Sequence, residues 1–360
     1  VLAVFCGVIV IIGELALGRK TGHGAIGAYR ILSKKFKWLG WMGVLSAFLI
    51  LGFYCALGGY CLKYVTLNVG NLFHAGFGTG TLDGAGVFDA LMANQGECVI
   101  YGLLFVAITM IIVMGGVGGG IEKVCSVGMP ALFVMLVICI IRSCTLDGAV
   151  EGLKYMFVPG WALANGVIKE TPDFFSVLST AGGQMFFSLS LGMAAMITYG
   201  SYLDKKENLQ KNAIIIVVMD TLVALMAGLC VIPGRFALDP TGNLGGPSLL
   251  FVTMQNVFDR MGSVGPIFGI MFYLLVVFAA ISSSISLLEA VVAHFVDKAR
   301  EQGKGDKRKL YSVLAGIAAG ILCVIVCLDS LGSAGISPAD ILGMRGTMEK
   351  LPTWSADWLD

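Results

Sequence analysis

Eight stretches of this chain, at about 1–17, 39–66, 98–115, 124–142, 173–203, 211–234, 263–296 and 309–329, are apolar for long enough, or nearly so, to cross a hydrocarbon layer. A layer of ~30 Å takes about 20 helical residues. Inside it every backbone N–H and C=O must be satisfied by protein, which leaves helices and closed barrels. Runs of this length select helices, so the expectation is an all-α integral membrane protein. The charged fraction agrees: it is 13%, with a mean hydropathy of +0.87, where a soluble domain carries about 25%. A net charge of +1 gives no basis for a nucleic-acid partner and leaves the lipid bilayer as the surroundings. The ten cysteines lie mostly in apolar runs without metal-ligand spacing and are read as packing residues. Gly115–Gly120 lacks the Gly-Lys-Ser/Thr ending of a phosphate loop and follows no strand, so it is expected to be a plain loop. Val1 opens inside an apolar run with neither an initiator Met nor a signal-peptide pattern, and the polar stretch after Asp329 holds no further span. The sequence is therefore expected to be a fragment, with 330–360 an unassigned polar tail.

Lys and Arg set the orientation. The first, third, fifth and seventh loops hold 16 basic residues, crowded at 19–37 and 298–309, and the even loops hold 5. By the positive-inside rule the odd loops are cytoplasmic and the first helix runs inward.

Polar residues within the spans are where function is to be sought. The run 173–203 carries Ser188-Leu189-Ser190-Leu191-Gly192 at its centre. Two readings stand: a broken helix whose freed ends and carbonyls hold a substrate's charge and a metal ion, or an unbroken one whose serines bond back to carbonyls a turn earlier. Asp220 lies nine residues beyond Lys211, close to the midplane, where a carboxylate must either meet a cation or carry a proton. Tyr54, Ser190 and Ser282 fall near the centres of three other spans. Ala279, Ser282, Ser283 and Ser286 share a helix face at i, i+3, i+4 and i+7. Hydroxyl and carbonyl oxygens on that face suit a small hard cation, and small residues at such spacing equally suit close helix packing. Ile50 and Tyr54 also share a face. Glu14 and Glu289 sit nearer the cytoplasmic ends and are read as pairing or capping groups. His74 and His294 lie at opposite membrane edges and no cysteine has a base beside it in sequence, so nothing supports an enzyme.

Four runs together resemble a known family. Gly13-Glu14-Leu15-Ala16-Leu17-Gly18-Arg19 is similar to the end of the second helix of neurotransmitter:sodium symporters, and Gly183-Gln184-Met185-Phe186-Phe187-Ser188-Leu189-Ser190 to their sixth, broken helix. Ala279–Ser284 (AAISSS) resembles the eighth, and Asp220-Thr221-Leu222-Val223-Ala224 the seventh helix of bacterial members. The motifs keep family order from 13 to about 310, and the resemblance is nearest to a bacterial amino-acid member with the LeuT-type fold.

The resemblance implies a single transmembrane transporter domain covering helices two to nine of an inverted-repeat bundle. Residues 1–142 would be the remainder of the first repeat and 173–329 most of the second. The first helix, broken like the sixth, and those after the ninth would be absent; the first would supply further sodium ligands and the basic partner of Asp297. The implied activity is sodium-coupled symport of a small neutral L-amino acid by alternating access, in a multi-pass cell membrane protein of the bacterial inner membrane. Two sodium sites are implied. Ser188 and Asp220 would serve the first; the Ala279 carbonyl, Ser282 and Ser283 would serve the second. Tyr54 would hold the substrate carboxylate and, with Phe187, form the outer lid. Ile50, Ser190, Met193, Ser284 and Leu287 would shape the side-chain pocket, whose apolar character suits a hydrophobic or aromatic substrate. Tyr202 and Asp297 would belong to the cytoplasmic gate. The family often has Asn where Asp220 stands, and its chloride-dependent members have Ser where this chain has Ala224. Asp220 then supplies a fixed negative charge and chloride is not required; alternatively it exchanges a proton, giving a proton-coupled transporter. A sensor of the same fold that moves nothing is a further alternative.

Overall fold

The structure is a computed structural model that describes residues 2–168, 170–241, 246–305 and 307–330. Of the tail expected at 330–360, all but Ser330 lies outside the described residues. Among those described every regular element is helical. Six helices are long and apolar enough to span: α3 (Lys37–Leu72), α5 (Gln95–Met114), α6 (Glu122–Cys144), α11 (Leu209–Leu238), α14 (Gly265–Glu301) and α15 (Arg308–Leu328). Of the other two apolar runs, the first winds as a π-helical turn, Ala3–Gly7, that passes without a break into α1 (Val8–Thr21), and the run 173–203 divides into α9 (Phe174–Ser188) and α10 (Ala195–Tyr202). Short helices fill the connections: α2 (Ala25–Leu32), α4 (Gly84–Ala93), α7 (Ala149–Phe157), α8 (Trp161–Ala164), α12 (Gly246–Ser248) and α13 (Met254–Arg260). The chain is a multi-pass membrane protein.

The loop expected over Gly115–Gly120 is much shorter. Only Gly115 and Gly116, the latter at φ 74°, break the chain, and Val117–Ile121 already winds as a π turn that runs into α6. Apolar flanks and a buried Gly120 and Ile121 keep the segment helical where glycine content alone suggested coil.

The main core lies between α3 and α14, with α5, α6 and α15 around them; Tyr60, Tyr64, Tyr273, Phe53, Phe105 and Phe251 are its largest fully buried side chains. A second, smaller core joins α1, α9 and α11 through Ile11, Leu15, Met185, Leu189 and Val217. The α1–α10 crossing is closer than side chains allow. A Cβ on Gly18 would stand 1.9 Å from the Ile197 carbonyl oxygen, and one on Gly200 would stand 2.5 Å from the Leu15 carbonyl oxygen. Small residues at such contacts let membrane helices approach backbone to backbone.

The two ends are distinct in chemistry. At one, loops one, five and seven meet: Arg19 donates to the Glu207 carbonyl, Gly24 N to Asp297, and Arg30 to Glu301. At the other, loops two and six meet, with Gly84 N donating to Asn256 and Asn256 to Asp239. The basic loops thus gather at one end, as the charge asymmetry requires.

Candidate functional site

The centre of the run 173–203 is a broken helix. Ser190, Gly192 and Ala194 all have left-handed backbone, at φ 54°, 76° and 64°, which no continuing helix accommodates. Two of the three are not glycine, and such residues cost free energy that the surroundings must offset. Long-range contacts hold the break. Gly192 N donates to Glu14 Oε1 at 2.8 Å, and Ser188 Oγ donates to Asp220 Oδ1 at 2.7 Å. Ser188 therefore does not bond back within its helix, and the unbroken alternative is set aside. Glu14 proves to be a capping group, reaching across from α1 to a freed N–H of the break.

The break opens on a cavity of about 770 Å³, within the range of ligand pockets. The structure brings the expected site residues together there: Ile50 and Tyr54 from α3; Phe187, Ser188, Ser190 and Met193 from the break; Asp220 from α11; and Ala279, Ser282, Ser283 and Leu287 from α14. Ser284 does not join them. It is fully buried, and its Oγ lies 2.8 Å from Thr109 Oγ1 on α5 and 3.0 Å from the Ile281 carbonyl oxygen. One residue past Ser283 the helix has turned by about 100°, so Ser284 supports the wall from behind.

On α14 the hydroxyls satisfy themselves locally. Ser282 Oγ donates to the Ala279 carbonyl at 2.8 Å and Ser283 Oγ to the same oxygen at 3.3 Å. Each hydroxyl has one proton and two lone pairs, so donating back into the helix leaves lone pairs for the cavity. Three kinds of oxygen thus line the space: hydroxyls, carbonyls and the Asp220 carboxylate. That set suits a hard cation, and among the described residues no group of three or more His, Cys, Asp or Glu could hold a metal.

Below the break α10 is stitched to α14. Tyr199 OH is 2.8 Å from Ser286 Oγ, and Tyr202 OH donates to Glu289 Oε1, a pair of contacts at matching i, i+3 spacing. Glu289 is fully buried and accepts two hydrogen bonds from Arg308, at 2.9 and 2.7 Å. The expectation that Glu289 is a pairing group is met, with Arg308 of α15 as a partner that its sequence position did not reveal. Tyr202 and Asp297, expected at the cytoplasmic gate, are held separately: Tyr202 by Glu289, Asp297 by Gly24 N at 2.8 Å.

Sequence reasoning missed several cavity residues. Gln184 lies one turn before Ser188 and Val223 one turn after Asp220, so helical spacing from the named residues points to both; Met219 directly precedes Asp220 and has no such signal. Met129 and Phe133 of α6 carry no polar signal that could single them out.

Comparison with known proteins fits this geometry. The family model described as the sodium:neurotransmitter symporter family matches residues 89–342. An uncharacterised sodium-dependent transporter of Bacillus subtilis, YhdH, is 36% identical over 327 residues, covering 89% of this chain and 67% of the relative. An uncharacterised sodium-dependent transporter of Haemophilus influenzae is 33% identical over 320 residues, 82% of this chain and 66% of the relative. The crystal structure of MhsT in complex with L-phenylalanine superposes with a TM-score of 0.78 at 35% identity, covering 92% of this chain and 72% of that one. The chain thus spans about two thirds of the length of the relatives it matches, and its fold is that of the LeuT-type bundle. These are transporters and not enzymes, and with a family model over most of its length the chain belongs to the sodium:neurotransmitter symporter family.

Proposed function

We propose that the full-length protein is a sodium-coupled symporter for a small neutral L-amino acid with a hydrophobic or aromatic side chain. The observation that carries this reading is the Ser188–Asp220 hydrogen bond at the broken helix, across one cavity from the Ala279, Ser282 and Ser283 oxygens. Ser188 and Asp220 would ligate one sodium ion, and Ala279, Ser282 and Ser283 a second. The broken first helix that the family resemblance implies would add further sodium ligands. Tyr54 would donate to the substrate carboxylate, which would also complete an ion's shell. Each ligand then raises the other's affinity by the same factor. Ile50, Phe187, Met193 and Leu287 give the rest of the cavity an apolar wall, and Met193 adapts to side chains of different shape. That L-phenylalanine is the ligand in the MhsT crystal structure supports the aromatic choice. Asp220 would provide a fixed negative charge, so chloride would be dispensable. Alternating access would follow from rocking of one helix bundle around the fixed site, with Tyr54 and Phe187 as the outer lid and Tyr202 and Asp297 in the inner gate. Residues 1–142 and 173–329 would belong to the two repeats, and the membrane would be the bacterial inner membrane.

A second reading rests on Asp220 alone: a carboxylate at the midplane can carry a coupling proton. Uptake of labelled phenylalanine and leucine into vesicles holding the full-length protein separates the two. Under an inward sodium gradient, and with gluconate in place of chloride, accumulation is expected; with choline in place of sodium it is expected to vanish. Uptake driven by a pH gradient without sodium would replace symport with sodium by symport with protons. Binding without accumulation under any gradient would make the protein a sensor.

A further inference from the structure

At the basic end, both ring nitrogens of His23 face acceptors. Nδ1 stands 2.7 Å from the Thr21 carbonyl oxygen, and Nε2 stands 3.0 Å from Glu301 Oε1. A neutral imidazole has one N–H and one lone pair, so either tautomer would set a lone pair against an acceptor. Only the imidazolium donates to both.

The corner between α1 and α2 is shaped around this ring. Gly22, at φ 64°, turns the chain out of α1. The Thr21 hydroxyl is bonded to the Leu17 and Gly18 carbonyls, and the Thr21 carbonyl faces His23 Nδ1. Gly27 offers no side chain where a Cβ would come within 2.7 Å of His23 Cβ. The next residue, Gly24, donates its N–H to Asp297 Oδ2 at 2.8 Å. Glu301 lies one turn beyond Asp297 on α14 and also accepts from Arg30 of α2. Asp297 and Glu301 of α14 both feel the charge of the ring, Arg30 of α2 acts on Glu301 and Arg300 on Asp297, while the second histidine of this end, His294 of α14, lies among Arg30, Lys37, Lys298 and Glu301. The side chains of His23 and Glu301 are 25% and 34% exposed, enough for proton exchange with water.

We propose that His23 is a positioning residue for Asp297. Held as the imidazolium, it clamps the 22–24 corner to the end of α14, and losing its proton loosens the Gly24–Asp297 contact. Histidine is the side chain whose charge ordinarily changes between pH 5 and 8, so the pH on the basic side, which the charge asymmetry makes cytoplasmic, tunes how firmly this corner is held. The proton acts here as a regulator and not as the coupling ion. The functional consequence rests on the reading of Asp297 as a gate residue; the clamp itself does not.

Amide hydrogen exchange of residues 22–32 in the purified full-length protein, corrected for intrinsic rates, tests the clamp without transport. Protection is expected to fall roughly two- to fivefold between pH 6 and pH 8.5, the range a half-exposed ion pair supports. His23→Gln should be poorly protected at both values. His23→Arg, with a permanent charge, should be protected at both, which also covers the case in which the Gln variant fails to fold. The ¹⁵N signals of His23 should show both ring nitrogens protonated at pH 6. Protection that ignores pH in the wild type, or the same pH step in His23→Gln, would overturn the clamp and leave sodium-driven uptake untouched. Loss of uptake with the pH step intact would strike the transport reading alone.

Discussion

The two walls of the cavity are built on opposite principles. α14 runs unbroken for 37 residues, and its cavity hydroxyls bond to carbonyls of their own helix. The facing wall gives up its helix after Ser188 and leans on other helices, with Glu14 taking the freed Gly192 N–H and Asp220 taking the Ser188 hydroxyl at the edge of the break. A continuous helix presents a face by periodicity and needs no distant partner. A broken one exposes backbone to a ligand, and any freed group that its own turns do not satisfy, such as Gly192 N, has to be met from elsewhere, since an unmet one is expensive at membrane depth. Rigid oxygens on one side and backbone exposed on the other is an arrangement that can register an ion's arrival and pass it to a movable element.

Several changes would break or sharpen that contrast. The largest effect is expected where α14 itself depends on a distant partner. Glu289→Ala removes the buried carboxylate to which Arg308 and Tyr202 both donate, a change that costs about 3–5 kcal/mol when a buried pair is broken and should lower the thermal midpoint sharply. A midpoint unchanged by this variant would mean that α14 is self-sufficient even there. Next comes Glu14→Ala, which uncaps Gly192 N. A loss of about 1–3 kcal/mol is expected, seen as faster hydrogen exchange confined to 189–194; exchange unchanged there would show the break holding itself. Ser283→Ala removes one contact within its own helix and one to the Tyr54 hydroxyl; it should lower the thermal midpoint less than Glu14→Ala does, while raising half-saturating sodium about fivefold, the worth of one modest oxygen contact. A fall in stability of the size seen for Glu14→Ala would erase the distinction between the walls.

The smallest effect is expected at Asp259, in the connection before α14 and away from both walls. Burial raises its carboxyl above the usual range, partly offset by the Gln255 hydrogen bond. A raised carboxyl favours folding while it is protonated, and that contribution is lost as pH rises through the folded-state value. Asp259→Asn should therefore raise the thermal midpoint slightly at pH 7 and leave it unchanged in acid. A midpoint lowered at pH 7 would mean that the charge is stabilised by partners beyond Gln255.

The same contrast explains what the sequence made legible. The spans follow from apolar length, and the α14 face follows from the i, i+3, i+4, i+7 spacing of Ala279, Ser282, Ser283 and Ser286. Asp220 announced itself by depth. The break at 188–194 was only half legible: serines and a glycine in a span allow either outcome, and the decision lies with Glu14 and Asp220, 178 and 32 residues away from their partners. Arg308 as the partner of Glu289, and Gly24 as the partner of Asp297, are likewise contacts between distant segments with no local signature. Ser284 went astray because the resemblance placed it by motif, whereas helical rotation turns it toward α5.

The most direct test of the central claim is equilibrium binding of labelled phenylalanine to the purified full-length protein, titrated with sodium against choline at two pH values. Sodium should raise the affinity for phenylalanine, phenylalanine should raise that for sodium by the same factor, and neither factor should change with pH. Binding that ignores sodium, or that follows protons in its place, would contradict the account.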